Sequence, residues 1–150
     1  TTPHSFIGWG KTTHLGFGIP LMIGAKMAEP DKFCLNLMGD GAFGMSGTDI
    51  ETAVRSKAAI TTVLLNNSAM ATYTGPTQGN IGPEARERYG VSPMHGNYAN
   101  IAEGMGAVGI EVTKVSEMAP ALQEAQRLNA AGQTVLIDVH ANVEERRSRF

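Results

Sequence analysis

Between Phe33 and Asn67 the chain alternates in a way that few folds accommodate. An apolar run (Phe33 to Met38) leads into a glycine-rich turn (Gly39-Asp40-Gly41-Ala42-Phe43-Gly44). A helix-like stretch follows, and a second apolar run (Ile60 to Leu65) ends at Asn66-Asn67. Runs of this length read as strands of a parallel sheet, the first as a central one covered on both faces. The second run is rich in β-branched residues, which suit a pleated surface. Between them, Ser46 or Thr48 can cap a helix reaching about Lys57, with Ile50, Ala53 and Val54 facing inward. Strand, helix, strand over so short a span is a βαβ unit, so Gly39-Asp40-Gly41 and Asn66-Asn67 fall at the carboxyl ends of consecutive strands. In open α/β sheets ligands bind along that rim.

The rest of the chain extends the pattern. Leu15 to Met27 is apolar nearly all round, which predicts a buried helix. Pro20 suits its first turn, and Glu29-Pro30-Asp31 ends it. Ser68 to Pro93 is irregular, with Glu84 to Tyr89 its one helix-like piece, and its glycines and prolines suggest a mobile cover over Ser68 to Pro83. Tyr98 to Met105 reads as a helix stopped at Gly106, and Val108 to Val112 as a strand. Ser116 to about Ala131 reads as a helix closed by Gly132, and Val135 to Val139 as a last buried strand. The fold class is therefore α/β, a doubly wound parallel sheet with helices on both faces. Residues 1–150 are expected to form one domain, and, since Thr1 stands where an initiator Met would, a fragment or subunit of something larger.

Composition narrows the function. A net charge of −2 leaves no basic footprint, so neither nucleic acid nor an anionic membrane is an expected partner. No apolar stretch approaches the roughly 18 residues of a membrane span. The single cysteine, Cys34, lies inside an apolar run and fits a small buried residue in a reducing cytoplasm. The charged run from Glu144 to Arg149 reads as solvated tail.

The turn from Gly39 to Gly44 matches the dinucleotide fingerprint G-x-G-x-x-G, but two features oppose that reading. The next strand should end near an acid for the ribose, whereas it ends in Asn66-Asn67. Asp40 would also set a bare carboxylate against a pyrophosphate, a repulsion of several kcal/mol at a partly buried site. A divalent cation removes the conflict. Mg²⁺ takes six hard oxygens and is readily shared between one or two protein groups and a phosphate. Asp40 offers a carboxylate oxygen, Asn67 an amide oxygen, and a backbone carbonyl just beyond it a third.

Gly39-Asp40-Gly41 followed 27 positions after Asp40 by Asn67, the second of an Asn pair, resembles the GDG…NN signature of thiamine diphosphate-dependent enzymes. Leu15-Gly16-Phe17-Gly18-Ile19-Pro20, Ile23-Gly24-Ala25 and Ala102-Glu103-Gly104-Met105-Gly106 are similar to stretches of the acetolactate synthase, benzoylformate decarboxylase and pyruvate oxidase group. Its C-terminal, diphosphate-binding domain is the part resembled, from about Gly8 to Val139. The resemblance implies thiamine diphosphate and Mg²⁺ as cofactors, with Asp40, Asn67 and the Ala69 carbonyl as metal ligands. It sets Gly39, Gly41 and Ala42 against the diphosphate and Leu15 behind the bent cofactor. Thr13, His14, Met45 and Met70 become cofactor-lining positions. Thr13 and His14 replace the Gly-Gly common in relatives, and Ala42 replaces a frequent Ser.

The family's catalytic Glu lies on a separate pyrimidine-binding domain, and no residue here stands in its place. The chain is thus expected to be half an active site, completed by a pyrimidine-binding domain or subunit in trans within a homodimer or tetramer. The implied substrate is a 2-oxo acid, for decarboxylation or carboligation. Tyr73 stands about where pyruvate decarboxylases carry an acid, and a phenol does not replace that proton donor, which speaks against a plain pyruvate decarboxylase. His4, His95 and His140 read as surface or packing histidines. His14, beside Leu15, is the one catalytic candidate in this chain. Two other readings stay open, a non-catalytic assembly subunit of the same fold and a Rossmann-type dinucleotide domain.

Overall fold

The computed structural model describes residues 5–8, 14–69, 87–88 and 94–142. In chain order the elements are α1 (Gly18–Ala28), β1 (Leu35–Gly39), α2 (Asp40–Ser46), α3 (Asp49–Arg55), β2 (Thr61–Asn66), α4 (Tyr98–Gly104), β3 (Val108–Val112), α5 (Val115–Ala130) and β4 (Val135–His140). The strands form one parallel four-stranded sheet in the order β1-β2-β4-β3. The last strand inserts between β2 and β3 and is buried from Val135 to Asp138. Expected α/β architecture and observed architecture agree, and Gly39 pairs with Leu65, so β1 and β2 end side by side.

Each face of the sheet has its own core. On one, Ile19 and Ile23 of α1, Phe43 of α2, Ile50 and Ala53 of α3, and Tyr98 and Ala102 of α4 pack on Met38, Leu64 and Leu136. On the other, Ala121, Ala125 and Leu128 of α5 pack on Val63, Val112, Val135 and Ile137. The helix ends follow local chemistry. Asn97 caps α4 by accepting from the Asn100 amide at 2.9 Å. Glu117 closes a capping box at the start of α5 by accepting from the Lys114 amide at 3.1 Å. Gly106 and Gly132, at φ +86° and +81°, follow the two helices as residues free to turn left-handed.

Four sequence expectations are corrected. The helix expected from Ser46 or Thr48 is two helices, and the first begins at Asp40 itself. Neither candidate cap functions as one: Thr48 makes no side-chain cap, and Ser46 is bonded elsewhere. β1, expected to be central, stands at one end of the strand order, with Leu37 64 % exposed, because α5 covers only β2, β4 and β3 on that face. α1, expected to be buried, buries only Ile19 and Ile23, because it packs on β1 and α3 along one side. Ser116 is likewise no helix start, since Lys114 and Glu117 form that cap. Among the described residues no helix is long and apolar enough to cross a membrane. Cys34 is buried, as expected.

Candidate functional site

Asp40 is the first residue of α2, directly after β1, so its carboxyl group sits on the carboxyl rim of the sheet. It is 2 % exposed. One oxygen, Oδ1, accepts from the Gly41 amide at 2.8 Å, while the buried Oδ2 has no hydrogen-bond partner. Burial pushes this carboxyl above the usual carboxylate range, and the amides of Gly41, Ser68 and Ala69 pull it partly back. Of these amides only Gly41 is in bonding geometry with it. The Ala69 amide is given instead to Asn67 Oδ1, at 3.0 Å.

That second bond shapes the other half of the rim. Asn67 Oδ1 accepting from Ala69 is an Asx turn, and it supports Ser68 at φ +57°, a left-handed conformation unusual for a residue with a Cβ. The Ser68 carbonyl accepts from the Met94 amide at 2.9 Å, fastening the turn to the segment that leads into α4. An amide oxygen has two lone pairs, so Asn67 Oδ1 keeps one after serving Ala69. Ala69 is buried. Asp40, Asn67 and Ala69 are thus brought to one rim by adjacent strands, as the sequence spacing required.

The preceding turn reaches the same rim by a different route. Ser46, at the end of α2, donates its hydroxyl to the Gly16 carbonyl. Gly16 has φ +88°, and a Cβ there would lie 3.0 Å from Met45 Cβ, so glycine alone fits the turn. The clasp sets Met45 of α2 against Gly16, the neighbour of Leu15, and the Leu15 and Met45 side chains are left 44 % and 56 % exposed. Apolar side chains left open near a buried carboxylate suit a ligand with one charged and one apolar end. His14 is exposed just before this turn. Thr13, Met70, Tyr73 and His4, with nearly all of the expected cover over 68–83, lie outside the described residues.

Two residues with no role in the sequence reading belong to this region. Asp138 of β4 is fully buried; its Oδ1 accepts from Asn66 Nδ2 at 3.0 Å and its Oδ2 from the Tyr98 amide at 3.0 Å. The Tyr98 ring meets Phe43 edge-on, with centroids 5.3 Å apart. Burial raises the Tyr98 phenol, and the negative charges of Asp40 and Asp138 raise it further. The available signal for Asp138 was a lone acid inside an otherwise apolar strand.

Among the described residues no group of three His, Cys, Asp or Glu could hold a metal. A cation on this rim would be held by one carboxylate with amide and carbonyl oxygens, a donor set suited to Mg²⁺ or Ca²⁺ and unsuited to softer metals. The unpartnered Oδ2 of Asp40 fits such an ion, since a buried carboxylate oxygen without a donor is otherwise costly. The open groove between β3 and α5, lined by Ile110, Val112, Ser116 and Pro120, is on the opposite edge strand from β1. Its Glu111, Glu117 and Glu124 all have N–H partners.

The sequence profile described as "Thiamine pyrophosphate enzyme, C-terminal TPP binding domain" matches residues 1–139. The chain belongs to that family. YdaP of Bacillus subtilis (strain 168), a thiamine pyrophosphate-containing protein by name, is 39 % identical over 127 residues, which are 83 % of this chain and 21 % of YdaP. A sulfoacetaldehyde acetyltransferase of Alcaligenes xylosoxydans xylosoxydans is 33 % identical over 139 residues, 91 % of this chain and 22 % of that enzyme. The solved thiamine diphosphate-dependent 4-hydroxybenzoylformate decarboxylase of Rhodococcus jostii RHA1 superposes with a TM-score of 0.68 at 27 % identity, covering 88 % of this chain and 24 % of that one. The chain spans about a fifth of the length of these relatives. Membership of the thiamine pyrophosphate enzyme family sets aside the dinucleotide reading of Gly39 to Gly44.

Proposed function

We propose that this domain binds thiamine diphosphate through Mg²⁺ and forms the diphosphate half of the active site of a 2-oxo acid decarboxylase or carboligase of the acetolactate synthase kind. The observation that carries the reading is the buried, unpartnered Oδ2 of Asp40 on the rim it shares with Asn67 and Ala69. Asp40, Asn67 Oδ1 and the Ala69 carbonyl would hold the cation. The cation lets an acid stand where a diphosphate binds, and the Ala42 amide, early in α2, would meet the diphosphate oxygens beside Gly41, whose own amide is given to Asp40 Oδ1. Leu15 and Met45 offer apolar contact for the ring system, together with Gly39, Thr13, His14 and Met70 as further lining positions. When bound, thiamine diphosphate supplies a nucleophilic carbon and an electron sink beside the substrate carbonyl. The domain itself anchors and orients the cofactor, and the acid that activates the ring comes from a pyrimidine-binding domain elsewhere in the protein or in a second subunit.

Calorimetric titration of the full protein with thiamine diphosphate, with and without Mg²⁺, tests this. Binding that requires the metal is expected. Absence of binding in both conditions, or equal binding without metal, would overturn the reading. His14 is exposed beside Leu15 and free to face a substrate on the rim. His14→Ala is therefore expected to lower kcat more than it weakens cofactor binding, and steady-state kinetics unchanged from the wild type would remove it from the site.

A further inference from the structure

A carboxylate fully inside a strand needs an explanation, because burying one is costly unless it is compensated. Asp138 is 0 % exposed, between Ile137 and Val139. Its compensation is two N–H groups from two different elements. Asn66, the last residue of β2, gives Nδ2 to Oδ1, and Tyr98, the first residue of α4, gives its backbone amide to Oδ2, each at 3.0 Å. The His140 imidazole, 3.9 Å away, is too far for a hydrogen bond. An apolar residue of like volume would satisfy the core at lower cost. It would leave the end of β2 and the start of α4 without a common acceptor.

Both groups that Asp138 fastens adjoin the candidate cation site. Asn66 immediately precedes Asn67, whose Asx turn sets Ser68 and Ala69. Tyr98 packs edge-on against Phe43, three residues after Asp40 in the same helix. We propose that Asp138 is a positioning residue for the cation, the shared acceptor that holds the Asn67–Ala69 turn and the Asp40 helix in mutual register. The inference rests on the cofactor reading above. Outer partners of metal ligands typically change metal affinity by about 10–100-fold. Mg²⁺ demands near-ideal octahedral geometry, whereas Ca²⁺ tolerates distortion. Loss of register therefore penalises Mg²⁺ more than Ca²⁺, while plain loss of stability would penalise both alike.

The test is thiamine diphosphate affinity of the full protein, measured by calorimetry with Mg²⁺ and separately with Ca²⁺, for Asp138→Leu, Asp138→Asn and Asn66→Ala, alongside the thermal midpoint of each. Asp138→Leu and Asn66→Ala are expected to weaken Mg²⁺-supported binding by about 10–100-fold and Ca²⁺-supported binding much less. Asp138→Asn is expected to stay near wild type, because the Asn66 amide can turn over and offer its oxygen to the new NH₂ while the new oxygen serves Tyr98. Equal losses with both cations, or none, would overturn the proposal. If Asp138→Leu does not fold, Asn66→Ala decides alone, since it removes only one bond. A wild-type protein that binds the cofactor with neither cation would bring down the cofactor reading and this inference together, a result distinct from the variant pattern.

Discussion

Replacing Asp40 with alanine should remove metal-dependent binding of thiamine diphosphate while leaving the domain folded. Deletion of an outer partner of a metal ligand costs up to about 100-fold in affinity, and loss of the one charged ligand should exceed that. A 100-fold loss corresponds to about 2.7 kcal/mol. Stability of the ligand-free protein should change far less, by no more than about 1 kcal/mol. The variant gives up one hydrogen bond, to the Gly41 amide, worth roughly 0.5–1.5 kcal/mol. It also removes a buried oxygen without a donor, whose desolvation costs roughly 1–3 kcal/mol. The two oppose each other. The same carboxyl gives a pH signature. Burial raises its pKa in the folded state, so the folded protein holds its proton over a window that starts in the usual carboxylate range and extends upward. Across that window the folded state binds more protons than the unfolded one, and stability falls as pH rises. Denaturant unfolding of ligand-free wild type should show that decline, and Asp40→Ala should flatten it. A variant that still binds with Mg²⁺ at wild-type affinity would dispose of the carboxylate as ligand.

What the sequence disclosed about this site was local or periodic. The β1 and β2 runs, the glycine turn and the Asn pair are contiguous patterns, and a parallel pairing of consecutive strands was enough to put Asp40 and Asn67 on one rim. What it concealed depends on distant contacts. Ser46 looked like a helix cap because its type favours caps, yet it bonds the Gly16 carbonyl, 30 positions away. Between α2 and α3, Gly47 leaves room for Phe43, whose ring comes within 2.4 Å of where a Cβ on Gly47 would stand. Asp138 was hidden within an apolar strand because its partners, Asn66 and Tyr98, are 72 and 40 positions off. Leu35 and Leu37 read as central-strand residues by hydropathy alone, which cannot tell a covered face from an uncovered one.

Gly109→Ala should be the most damaging substitution in the scaffold. Gly109 lies in β3 under α4, and a Cβ there would stand 2.4 Å from the Ala99 carbonyl oxygen, 2.8 Å from its carbon and 2.9 Å from its Cα. All three are backbone atoms, so no side chain can swing aside and the helix or the strand must move. Overpacking typically costs 1–3 kcal/mol, and a displaced helix belongs at about 3 kcal/mol or beyond, a large share of the roughly 5–15 kcal/mol that holds a domain folded. Gly24→Ala is the control: it lies within α1 with nothing inside 4 Å of the added carbon, so relief of glycine's helix penalty should stabilise by roughly 0.5–1 kcal/mol. Opposite signs in denaturant unfolding are therefore expected, and a Gly109→Ala midpoint equal to wild type would refute the close approach. The damage should also reach the site. Ala99 follows Tyr98, whose amide makes the 3.0 Å bond to Asp138, and a shift of a few tenths of an ångström at Ala99 lengthens that bond. Cofactor affinity should fall with stability in Gly109→Ala and stay unchanged in Gly24→Ala, because only the first moves the helix that Asp138 ties to the end of β2, next to the Asn67–Ala69 turn.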